Sequence, residues 1–109
     1  MNKIYVVFGY DFENSHPYKA YHTEEKAKYV AKHLTKIRNK LNAKWKTMRK
    51  EVYGNQFLYL ADDDEFNAWT KARDNLRIRH PDPRFDLDMT SGYSVWDIVI
   101  EGGEDNKVV

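Results

Sequence analysis

The 109 residues contain no cysteine. Disulfides, thiolate nucleophiles and zinc sites that need Cys are therefore excluded. Long apolar runs are also missing: none approaches the roughly 20 residues of a spanning helix. The N-terminal MNKIYVVFGYDF has one Lys, a short β-rich run and no small-residue cleavage site, so it does not read as a signal peptide. A cytoplasmic location is expected. No G-x-G-x-x-G or P-loop occurs, and TSGYS lacks the flanking glycines of a nucleophile elbow. The histidines, His16, His22, His33 and His80, form no H-x-x-x-H or H-E-x-x-H pair. With so few convergent groups, the chain reads as a non-enzyme without a metal or other cofactor.

Apolar material is sufficient for one core. The chain is 41% hydrophobic and 15% aromatic, and its length suits a single domain. That domain is placed at residues 1–101, with a loose tail at 102–109. KIYVVFGY (3–10) is a strand by its length and its β-branched and aromatic content. DFENSHP is read as a loop, and YKAYH (18–22) as a second strand antiparallel to the first. Thr23 is positioned to cap a helix, with Glu24 and Glu25 in its first turn. From Ala27 through Val30, Leu34, Ile37, Leu41, Trp45 and Met48 to Val52, apolar residues recur at steps of three or four on one face. This predicts a helix over 24–53, about 45 Å long, closed by Gly54-Asn55, with a break near Asn39–Asn42 as an option. QFLYL (56–60) fits a strand or the approach to a helix. A shorter helix is predicted over 63–79, capped by Asp62 or Asp63 and ended by HPDPR. RFDLDM (84–89) alternates like a half-buried strand. YSVWDIVIE (93–101) is the clearest strand, with Trp96, Ile98 and Ile100 on one face. The reading is α+β: a small antiparallel sheet ending in a C-terminal hairpin, with a long basic amphipathic helix and a shorter one packed on one face.

Charge is distributed unevenly. Residues 1–25 carry −2, residues 51–109 carry −7, and residues 26–50 carry +10 with no Asp or Glu, for a chain total of +1. On a helical projection Lys28, Lys32, Lys36, Lys40, Lys46 and Lys50 fall opposite the apolar stripe, with Tyr29 and Thr47 among them. No acid within 26–50 can neutralise this stripe by i,i+4 pairing. Three explanations follow: a solvated face matched by acids elsewhere in the fold, an acidic protein surface as partner, or nucleic-acid phosphates. Lys outnumbers Arg eight to two in the segment, which argues against base-specific readout. The apolar stripe is needed for the core, which argues against a membrane.

Acidic residues gather at two places. DDDE (62–65) is read as a dipole-matched helix start. HPDPRFDLD offers Pro81-Asp82 followed by Asp86 and Asp88, the order of a restriction-type nuclease. The Lys such a site needs is replaced by Asp88. A metal-dependent enzyme on Asp82, Asp86 and Asp88 is thus only a third reading.

KIYVVFGY…HPYKAYHTEEKAKYVAKHL, with its Thr23 to Ala27 helix start, and the terminal YSVWDIVIE resemble a style of small phage- and prophage-encoded proteins. The resemblance covers roughly residues 3–34 and 93–101. It implies a binder that inhibits or modulates a host or defence protein in the host cytoplasm, and it assigns no residue. Together these readings predict a small binding protein that contacts an acidic partner surface through Lys28, Tyr29, Lys32, Lys36, Lys46 and Lys50. The alternative is a sequence-nonspecific nucleic-acid binder using the same helix.

Overall fold

The computed structural model of the chain describes residues 2–53 and 63–100, without the side chains of residues 2, 49–53, 63, 65 and 66. The Gly54-Asn55 cap, the QFLYL segment, Asp62, the Asp63 side chain and the 102–109 tail lie outside this description. Two strands, β1 (Asn2–Tyr10) and β2 (Ser15–Tyr21), are followed by helices α1 (Glu24–Tyr53) and α2 (Asp63–Arg77) and a last strand, β3 (Gly92–Ile100). The sheet is antiparallel with order β2-β1-β3. The fold is α+β, as the sequence predicts.

The β1–β2 turn is built by Asp11, whose carboxylate accepts the amides of Glu13 (2.8 Å) and Asn14 (2.7 Å). This local bond closes the turn at residue 14, so β2 begins at Ser15 and the predicted loop is shorter than DFENSHP. Pro17 is tolerated inside β2 because this is an edge strand, and the register shifts beside it, between Val7 and Phe8.

Thr23 caps α1, its hydroxyl accepting the Lys26 amide at 3.3 Å. The helix then runs 30 residues without a break, so Asn39–Asn42 does not interrupt it. Its apolar stripe feeds two separate clusters. The N-terminal half presses Ala27, Ala31 and Leu34 onto Val7, Tyr21 and Tyr93 of the sheet. The C-terminal half presses Leu41 and Trp45 onto Leu76 of α2 and onto Phe85 and Leu87. One long helix serving two cores makes the molecule a rod of 58 × 22 × 20 Å.

The predicted strand over 84–89 does not form, and with it goes the C-terminal hairpin. β3 pairs with β1 instead, from Asn2↔Ile100 to Tyr10↔Gly92. The alternation that suggested a strand is real in burial, since Phe85 and Leu87 are buried. Its acids, however, capture the backbone. Asp86 Oδ1 accepts the amides of Asp88 and Met89, and the Asp86 amide donates to Thr90 Oγ1 at 2.8 Å. Side-chain bonds of this kind compete with a ladder and leave a chain of turns. Among the described residues, no helix is long and apolar enough to cross a membrane.

Candidate functional site

The outer face of α1 collects the residues singled out by sequence. Lys28, Tyr29, Lys32, Lys36 and Lys46 are all exposed, as are Lys40 and Lys44. Tyr29 is 70% exposed and its ring stacks on His33 at 6.2 Å and 3°. The Lys50 side chain lies outside the described residues. Lys28 departs from the expected unpaired stripe: its Nζ meets Glu24 Oε1 at 2.5 Å across one helical turn. The first-turn acid that favours the dipole thus also neutralises one lysine. From Lys32 onward no ion pair forms with a described residue. Away from this face Asp86 and Asp88 pair with Arg73 and Asp97 with Lys3, and Asp82 is bonded to His16.

That last pair belongs to a buried cluster joining sheet, helix and the 78–91 segment. Asp82 is 1% exposed. Its Oδ2 accepts His16 Nε2–H at 2.7 Å and the Tyr93 hydroxyl at 2.6 Å, and its Oδ1 accepts the Arg84 amide at 2.9 Å. Burial alone would raise its pKa, but the bonds from His16, Tyr93 and the Arg84 amide outweigh burial and hold it below the ordinary value. Burial, reinforced by the Asp82 charge, raises the Tyr93 phenol instead. The neighbouring His80 donates Nε2–H to Leu34 O on α1 and accepts the Asp82 amide at Nδ1, both at 3.1 Å. These bonds fix the neutral tautomer, and burial lowers the pKa despite the Leu34 and Asp82 oxygens. Its ring stacks on Phe85 at 4.1 Å and on Tyr93 at 5.3 Å. The cluster needs glycine at position 9, where a Cβ would stand 2.7 Å from the His16 ring and 2.9 Å from that of Tyr93.

The two groups of this cluster with lowered pKa, His80 and Asp82, act in the same direction. The folded state binds fewer protons than the unfolded chain just below each ordinary value, so stability falls as pH falls. The His80 contribution is present above pH 6.5 and lost below it; the Asp82 contribution is present above 3.8 and lost below that. Melting temperatures should fall in two stages between about pH 7.5 and about pH 3. His80→Phe, which keeps the stack, should remove the first stage and keep the second. An unchanged slope near pH 6 in that variant would exclude His80 as its source.

His16 also lines an open cavity of about 450 Å³ between the β1–β2 turn and the 78–91 segment, with Arg84 and Asp86 opposite. An imidazole oriented by a buried carboxylate is the arrangement of a general base. A metal-assisted step finds no ligand set: no group of three His, Asp or Glu among the described residues could hold an ion. Asp82, Asp86 and Asp88 do not converge either. Asp82 is buried beneath His16 and Tyr93, while Asp86 and Asp88 sit on Arg73 at 3.6 and 3.0 Å.

Sequence reasoning gave His16 and His80 no role, because their partners are 66 and 46 residues away. The available signal was Gly9, a glycine inside a strand, which marks a close approach. No protein-family model matches the chain, and neither characterised proteins nor solved structures yield a similar one.

Proposed function

We propose that this chain is a non-enzymatic binding protein that docks on an acidic protein surface through the outer face of α1. One observation carries this reading. Lys32, Lys36, Lys40, Lys44 and Lys46 project along one helix without an ion-pair partner among the described residues, and of the described acids only Glu24, at Lys28, pairs with this face. Left unneutralised, these like charges repel one another along the helix, a cost that an acidic partner surface would relieve. Tyr29, exposed at the N-terminal end of the face, is the residue type favoured as an interface anchor. If the resemblance to small phage proteins reflects descent, the partner is a host or defence protein and the site of action is the host cytoplasm.

The test is a charge reversal, Lys32→Glu with Lys36→Glu and Lys46→Glu. Each introduced carboxylate stands one turn from a lysine that remains: position 32 from Lys28, position 36 from Lys40 and position 46 from Lys50. Helix stability should therefore hold or rise. Wild type and variant are compared for retention of lysate proteins and for binding random-sequence DNA and RNA at two salt concentrations. The expected result is an acidic protein captured by wild type and lost by roughly tenfold or more in the folded variant. Nucleic acid bound by wild type with steep salt dependence would shift the reading to phosphate contact. A variant that keeps every partner would leave the stripe without a role.

A further inference from the structure

α1 covers only one face of the sheet. Tyr5, Val7, Tyr93 and Val95 point toward it, and the strand register places Lys3, Lys19 and Asp97 on that same side. The opposite face carries even-numbered residues 4–10 of β1 and 92–100 of β3, with Ser15, Pro17 and Ala20 of β2. None of them is charged, in a chain that is 32% charged. Among the described residues no helix covers this face, which inverts the usual order, in which the uncovered face of an antiparallel sheet is the polar one. Trp96 lies at its centre, 52% exposed, its ring 4.5 Å from that of Phe8, and Ile98 is 42% exposed.

We infer that this face is a self-association surface, and that its occupant is the same face of a second copy. Two sheets stack face to face at about 10 Å, their strands crossing at about 30°. A face about 30 Å by 14 Å, stacked on itself, buries on the order of 1,000 Å² in total. That is the lower limit of a specific interface, so the dimer is weak and concentration-dependent. Charge selects this mode over edge pairing. Joining two β3 edges would extend the sheet and set both positively charged α1 helices side by side on one face. Stacking the bare faces sends the helices to opposite outer sides, where each basic face stays free. A charge-bearing foreign surface would leave its charges buried and unpaired against this face.

The test is sedimentation of the full chain from about 5 µM to about 1 mM, beside Trp96→Glu and Ile98→Glu. Methyl resonances of the unmutated chain are followed over the same range. The mass should rise from 13.0 kDa toward twice that value in wild type, and stay monomeric in both variants. Methyl signals of Ile4, Val6 and Ile98 should move with concentration, and that of Ile37 under α1 should not. A mass fixed at 13.0 kDa throughout, a dimer that survives in both folded variants, or shifts confined to α1 would each overturn the inference.

Discussion

Replacing Asp82 with Ala should lower the stability of the fold by about 3–5 kcal/mol, since three inward-facing donors lose their acceptor at about 1–3 kcal/mol each. The reason lies in what is left behind. His16 Nε2–H, the Tyr93 hydroxyl and the Arg84 amide all lose their acceptor in the interior. Each stranded donor keeps its desolvation cost. The pair does not hold one contact alone. Asp82 ties the 78–91 segment to β2 through His16 and to β3 through Tyr93, and its own amide fixes the tautomer with which His80 reaches α1. Asp82→Asn keeps one acceptor oxygen and nearly the same volume, so it should recover part of the loss. Urea unfolding followed by far-UV dichroism measures both. A loss under about 1 kcal/mol for Asp82→Ala, within the range of a single ordinary hydrogen bond, would show that the cluster does not hold this segment in place.

The sequence made the long elements readable because local and tertiary preferences agree there. In α1 the apolar steps from Ala27 to Val52 never slip, and its bounds, Glu24–Tyr53, match those expected. β1 and β3 combine β-branched and aromatic content with a fixed period. The segment over 84–89 misled for a physical reason. Phe85 and Leu87 alternate inward as a strand would, but burial period does not report where the backbone amides go. Here they go to the side chains of Asp82, Asp86 and Thr90. The basic face was legible because it is a repeat along one helix. Its pairing of Lys28 with Glu24 was not foreseen, since the acid was assigned to the helix dipole alone. The His16–Asp82 pair depends on a sheet and a connecting segment meeting across 66 positions, a distance over which periodicity carries no information. The uncharged sheet face was legible as Trp96, Ile98 and Ile100 on one side, but which side the helix covers is settled only by the packing.

Trp45→Ala should have an effect of the same size, about 3–5 kcal/mol, but confined to one end of the rod. Trp45 is 1% exposed and sits at the centre of the second cluster. Its ring lies 4.9 Å from that of Trp69 on α2, and its Nε1–H donates to Asp88 Oδ1 at 3.0 Å. The first cluster shares no buried residue with the second. The links between the two ends are individual contacts: Arg38 Nε–H to Thr90 O at 2.8 Å, His80 to Leu34, and the His80 ring stacked on both Phe85 and Tyr93. A cavity at position 45 therefore weakens the docking of α2 and of Phe85 and Leu87 while Val7, Leu34 and Tyr93 stay packed. Hydrogen exchange should show amides of α2 and the last turns of α1 exchanging roughly a hundredfold faster or more, each factor of ten being about 1.4 kcal/mol. Those of β1 and β3 should change far less. Trp45→Phe, which keeps an aromatic ring and loses the bond to Asp88, should fall between. Equal acceleration across β1, β3 and α2 would mean the helix transmits the loss along its whole length, so that the two clusters open as one cooperative unit.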